Sequence, residues 1–179
     1  MDISTVVSMI TPDMMESVGD MLQLAIMSCD KPPKAIAADI GYSVDSIYSA
    51  MKGIRNVPAQ ARQKLAGVNC IAAAAVALEA TGFTRLFGYQ KVDRHVQSMI
   101  VRLKATDRKT DKLLEILPEL LVDKNSQEDF TPEEMLQLHT AVISLTELAN
   151  SHINLIMELE VKYGLSVAPY LQGKEKIAH

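Results

Sequence analysis

The stretch AIAADIGYSVDSIYSAMKG, Ala35 to Gly53, decides how this chain is read. Two short apolar patterns meet in it at Gly41-Tyr42-Ser43. Gly41 is the residue type that ends a helix in the left-handed conformation, and Ser43 can cap the helix that follows. The spacing therefore predicts one helix over about Pro33 to Ile40 and another over Val44 to Met51, closed by Gly53. Two short helices can cross tightly only if the first carries a small residue at the contact and the turn contains glycine. Ala37 and Gly41 meet those needs, while Ile36, Ile40, Val44 and Ile47 supply the apolar contacts that fix the angle.

N-terminal to this pair, Thr11-Pro12-Asp13 reads as a helix start, with the helix running to about Cys29. Met14, Val18, Met21, Leu22, Ala25 and Ile26 form its buried stripe, Asp13, Glu16 and Asp20 face water, and Asp30-Lys31-Pro32-Pro33 ends it. On the other side, Asn56-Val57-Pro58 opens a fourth helix carrying Ala61, Leu65 and Val68, and Cys70 to Ala80 forms a very apolar fifth that stops at Thr81-Gly82. A domain boundary is expected between Thr81 and Asp93, where Gly82 and Gly88 flank three bulky apolar residues.

The rest reads as two longer helices. The first runs from about Asp93 towards Leu117 and should break or kink near Pro118, which lacks a backbone donor. A polar loop from Asp123 to Asp129 follows. Thr131-Pro132-Glu133-Glu134 is then a helix start with a complete capping box. From Leu138 the apolar spacing alternates four and three through Val142, Leu145, Ala149, His152, Ile156, Leu159 and Tyr163, a heptad seam. Such a helix spans about 45 Å at 1.5 Å per residue, more than a neighbouring helix of one compact domain covers, so self-association through this seam is expected.

Composition agrees with a helical protein. The chain has 179 residues, 48% hydrophobic but only 4% aromatic, with no Trp. That favours helices over pleated sheets. The architecture expected is all-α: an N-terminal five-helix helix-turn-helix domain over residues 1–82, a linker over 83–92, and a long C-terminal helical hairpin over 93–179 that serves oligomerisation or regulation.

The net charge of −4 argues against a polyanion binder as a whole, yet its distribution does not. From Lys31 to Lys64 there are six basic residues against two acidic, a local charge of +4 that leaves −8 on everything else. A locally positive module on acidic helices can reach phosphates without a basic average.

Several chemistries find no support. Cys29 and Cys70 lack metal or redox spacing and sit among apolar residues, as expected of a reduced cytoplasmic protein. His95, His139, His152 and His179 make no ligand pattern, and no metal site or cofactor is expected. No phosphate-binding glycine loop, paired catalytic carboxylates or nucleophile arrangement stands out, so no catalytic residue is assigned and the chain is not read as an enzyme. The longest apolar run, Cys70 to Leu78, is too short for a bilayer. The ten Met residues fit gap-filling in a core better than a peptide-binding groove.

The pattern from Ile36-Ala37 through Gly41 to Ile47, followed by Gly53-Ile54-Arg55-Asn56-Val57-Pro58, resembles the Cro/repressor-type helix-turn-helix family over roughly residues 12–80. Beyond it, Ala80-Thr81-Gly82 and Asp129-Phe130-Thr131-Pro132-Glu133-Glu134 before a long helix are similar to the phage regulatory CII family. The resemblance implies a phage or prokaryotic transcription regulator, repressor or activator, that binds double-stranded operator DNA as a homodimer or tetramer. The groove-facing set it implies is Ser43, Val44, Asp45, Ser46, Tyr48, Ser49 and Lys52, with Lys34, Lys52, Arg55 and Arg62 as phosphate contacts. Asp45 either accepts from a cytosine amino group or simply favours the helix N-terminus, and Tyr48 either touches DNA or covers the core edge. His152 either fixes the register of the seam or weakens it when protonated. The alternative reading keeps the helix-turn-helix as scaffold for a protein–protein interaction module, with an antirepressor, RNA polymerase or another regulator as partner. A third makes the C-terminal helices a small-ligand sensor.

Overall fold

The computed structural model describes residues 14–91 and 93–174, so the helix start at Thr11-Pro12-Asp13 and His179 lie outside the described residues. Among the described residues the secondary structure is helical, with one isolated antiparallel bridge between Met15 and Gln90. The helices are α1 (Val18–Met27), α2 (Pro33–Ile40), α3 (Val44–Met51), α4 (Ala59–Ala66), α5 (Cys70–Thr81), α6 (Thr84–Phe87), α7 (Val96–Leu120), α8 (Pro132–Tyr163) and α9 (Ala168–Leu171).

The first helix starts later than its composition suggests. Ser17 caps it with a capping box to Asp20, while Met14 is exposed and Met15 is held in the bridge to Gln90. The rest of the expected stripe is correct: Met21, Leu22, Ala25 and Ile26 are buried and Val18 packs against them. They meet α5, whose face Ile71, Ala72, Ala75 and Leu78 forms the centre of the core. That helix is rich in alanine, so α1 and α4 both approach it closely.

α3 is set against this core by one close contact. A Cβ built on Gly19 would stand 2.7 Å from the Met51 carbonyl oxygen and 3.2 Å from the Gly53 nitrogen. Only glycine lets α1 pass under the C-terminal end of α3 at that distance.

The stretch 83–92, read from sequence as a linker, carries α6 and then folds inward. Gly88, Tyr89 and Gln90 are buried. Asn150 Nδ2 donates to the Leu86 carbonyl at 3.1 Å and to the Gly88 carbonyl at 3.0 Å. Asn154 Nδ2 donates to the same Gly88 carbonyl at 3.0 Å, and its Oδ1 accepts from the Gln90 amide at 2.9 Å. Around this anchor the Tyr89 hydroxyl donates to Glu158, and the Arg94 guanidinium lies 4.3 Å over the Tyr89 ring while pairing with Glu16.

A second tie joins the two halves of the chain. Glu160, buried near the end of α8, accepts from the Cys70 amide at 2.7 Å, placing a carboxylate at the N-terminus of α5. Its other oxygen accepts from Val167 at 3.4 Å, so the chain beyond α8 turns back onto the N-terminal bundle, where Val167 packs on the core.

α7 and α8 pack as an antiparallel hairpin. Pro118 does not break α7, because it falls in the last turn and the helix continues only to Leu120. The capping box of Thr131 with Glu134 forms as expected. Lys124 clips the loop by donating to the Asp129 carbonyl at 2.6 Å and to Glu134 at 3.0 Å.

The heptad seam is not the face that α8 turns to its own chain. α8 buries Ala141 and Ser144 in its first half and, on another side, Asn150, Asn154, Met157 and Glu160 in its second, whereas Val142, Leu145, His152, Ile156 and Tyr163 are exposed and Leu138, Ala149 and Leu159 are half-buried. The reason is chemical: the α6–α7 connection and the start of α5 present backbone donors and acceptors, which need amides and a carboxylate rather than leucines.

Candidate nucleic-acid interface

The turn between α2 and α3 closes as its residues require. Gly41 has φ +76°, and the Tyr42 amide donates to the Ala37 carbonyl at 2.8 Å, satisfying an acceptor at the end of α2. Ala37 is 1% exposed, at the contact where a small residue was needed. Ser43 then caps α3, its Oγ accepting from the Ser46 amide at 3.2 Å.

α3 buries Ile47 and Ala50 and leaves Ser43, Asp45, Tyr48 and Lys52 exposed. Ser49 is half-buried at the edge of that face, and Tyr48 is 43% exposed. Two members of the expected groove-facing set sit differently. Val44 packs on the core, and Ser46 is half-buried with its hydroxyl 2.7 Å from that of Ser43. Both lie in the first turn of α3, where the crossing with α2 brings the helices closest.

After α3 the chain wraps its own end. The amides of Ile54 and Arg55 both donate to the Ser49 carbonyl, at 2.9 and 3.3 Å, which leaves their side chains exposed beside the α3 C-terminus.

The cations divide into two groups. Lys31 pairs with Asp39 at 2.6 Å, and that hydrogen bond raises the lysine above its ordinary pKa. Arg62, expected to touch phosphate, is engaged inside the chain: its Nε donates to the Val57 carbonyl at 3.1 Å and its Nη2 lies 3.6 Å from Glu79. Glu79 in turn accepts from the Val57 amide at 2.9 Å, so Arg62 and Glu79 fasten the α3–α4 connection to α5. Among the described residues Lys34, Lys52, Arg55 and Lys64 have no carboxylate within ion-pair reach.

Lys64 is the residue that sequence reasoning counted as charge but did not place. Its Nζ stands 3.8 Å from where a Cβ on Gly41 would be, so α4 carries it to the α2–α3 turn. No local pattern announces this, since it follows from α2 packing on α4.

Beneath α3 lies an apolar cavity of about 20 Å³ lined by Leu22, Ile26, Ile40, Ile47, Ala50 and Leu65, room for a single water at most. Among the described residues no three His, Cys, Asp or Glu side chains gather as metal ligands, and no helix is long and apolar enough to cross a membrane. Compared with protein-family models, curated proteins and solved structures, the chain matches none.

Proposed function

We propose that this chain is a sequence-specific DNA-binding transcription regulator that acts as an oligomer. The observation that carries the reading is the face of α3. Ser43, Asp45, Tyr48 and Lys52 project from a helix held rigidly by Ile47, Ala50 and the Gly19 contact, with Lys34, Arg55 and Lys64 around it, which among the described residues have no carboxylate within ion-pair reach. Hydroxyls, a carboxylate and an aromatic ring can meet base edges, and the surrounding cations can meet phosphates. Lys34, Lys52, Arg55 and Lys64 against Asp45 give this face a positive field despite the acidic remainder of the chain.

The test is selection from random duplex DNA with the purified full chain, followed by titration of the recovered site against salt. Four phosphate contacts per copy give a log–log slope of about −3.6 per copy, from roughly 0.9 per contact. Lys52→Ala and Arg55→Ala should each flatten it by about 0.9. Recovery of no motif at low salt, with no response to those substitutions, refutes the reading.

A second reading, in which the helix-turn-helix is scaffold for a protein partner, is favoured by the net charge of −4 and by an acid on α3 itself. A partner that stays bound after Lys34, Lys52 and Arg55 are all changed to Ala distinguishes it.

A further inference from the structure

Among the described residues the outward face of α8 is only partly covered by the chain itself, and its chemistry is unusual for a surface. Between Glu134 and Lys162 the helix as a whole exposes five aliphatic side chains, one glutamine and two histidines, with no Lys, Arg, Asp or Glu, and Val142, Leu145, His152 and Ile156 of these line one side of it. That span holds three carboxylates. Glu158 is turned to Tyr89, Glu160 to the start of α5, and Glu147 is half-buried. A solvated helix face ordinarily carries charge, and a long uncharged apolar strip marks a surface that is covered.

We propose that a second copy of this chain covers it, with the two α8 helices antiparallel. The seam is spaced four, three, four, three, four, three, four from Leu138 to Tyr163, which reads the same in both directions about a point between Asn150 and Ser151. A two-fold contact therefore sets Leu138 opposite Tyr163, Val142 opposite Leu159, Leu145 opposite Ile156, and Ala149 opposite His152. The smallest residue meets the one imidazole. In a parallel pair His152 would instead face His152, two polar rings in the middle of an apolar seam.

The covering surface must itself be uncharged and apolar, or a charge would be buried without a partner, and this chain supplies such a surface. From exposures of 52% at Val142, 38% at Leu145, 39% at Ile156 and 59% at Tyr163, with the exposed His152 and smaller parts from Leu138, Ala149 and Leu159, the seam offers on the order of 550 Å² per copy. Two copies then bury roughly 1,100 Å², above the ~1,000 Å² that a specific interface needs. The interface names the copy that supplies a second α3 to the proposed DNA reading but rests on α8 alone. A dimer that selects no DNA sinks the DNA reading only, and a DNA-binding monomer sinks this interface, and with it the oligomeric action, but leaves the DNA binding standing.

The test is sedimentation equilibrium of the full chain at micromolar concentration, with Leu145→Glu, Ile156→Lys and the control Val101→Glu, which changes an exposed residue of α7 outside the seam. The unmodified chain and the control should be dimers. Leu145→Glu and Ile156→Lys should each raise the dimer dissociation constant about 100-fold or more while far-UV dichroism stays that of the unmodified chain. Mixing the two variants should restore a mixed dimer, because the antiparallel register sets the new carboxylate of one copy against the new ammonium of the other. A monomeric unmodified chain, a dimer indifferent to both variants, or a mixture that does not reassociate overturns the proposal.

Discussion

Replacing Gly19 with alanine sets two effects of opposite sign against each other. Alanine is the better helix former, and at an open site the exchange stabilises by up to about 1 kcal/mol. At this site the new methyl meets the Met51 carbonyl oxygen at 2.7 Å, and both that atom and the Gly53 nitrogen at 3.2 Å are backbone. Ordinary contact begins at 3.4 Å, so the end of α3 must retreat by about 0.7 Å. Overpacking of that kind costs about 1–3 kcal/mol, which outweighs the gain in propensity and leaves a net loss of roughly 1–2 kcal/mol. For a chain of this size that lowers Tm by about 2–8 °C. Calorimetry of the two proteins measures it directly, and DNA affinity, taken well below the transition, should fall as well because the displaced helix is the proposed reader. An unchanged or higher Tm would show that α1 and α3 do not approach as closely as described, and the rigid placement of α3 would lose its main support.

Asn154→Leu removes three hydrogen bonds and leaves the buried Gln90 amide without an acceptor, so a loss of about 2–4 kcal/mol is expected in denaturant unfolding. A loss under ~1 kcal/mol would show that the connection is held by other contacts. The hairpin loop should loosen in acid. Backbone amides of Asn125 and Ser126 hold the Asp129 carboxyl below its ordinary range, and the Thr131 amide with Lys124 does the same for Glu134. Because both folded values lie below the unfolded ones, this stabilisation is complete above the usual carboxylate pKa and is lost as pH falls through the folded values. Protection of the Asn125 and Thr131 amides, measured against the unfolded exchange rate at the same pH, should fall there, while a pH-independent exchange free energy would contradict the assignment. The Cys70 thiol, pushed up to about 12 by burial and by Glu160, should resist alkylation at pH 8 until the chain unfolds. Its raised value also means that stability falls as pH rises past the ordinary thiol range. Labelling of Cys70 at the rate of a free thiol would argue against the packing around Glu160.

The helices were legible where one local signal decided them. Gly41 and Ser43 fixed the α2–α3 turn, and Thr131 with Glu134 fixed the start of α8. Ile47 turns inward as helical spacing dictates, but Val44 and Ser46 do not stay on the exposed face of α3. What spacing could not show was which of two faces of α8 the chain would use for itself. The leucine and isoleucine seam is the stronger hydrophobic signal, yet the buried face is the one with Asn150, Asn154 and Glu160. That choice depends on backbone groups some 60 to 90 residues away. The two asparagines, four apart and in line with Met157, were the available hint. Arg62 left the role expected of it, and Lys64, given none, came to stand at the α2–α3 turn, for a similar reason: both follow from the placement of Glu79 and Gly41.

The Gly88 carbonyl is shared by Asn150 and Asn154, and the Cys70 amide is held by Glu160, so the N-terminal helices that carry the proposed reading head are bolted to their shaft, α8, instead of swinging on a tether. If two shafts lie side by side, the distance between the two heads becomes a fixed ruler. Such a protein would accept targets at one separation, in phase with the turn of the duplex, and an insertion of half a turn between the two boxes would be poorly tolerated where a floppy connection would forgive it.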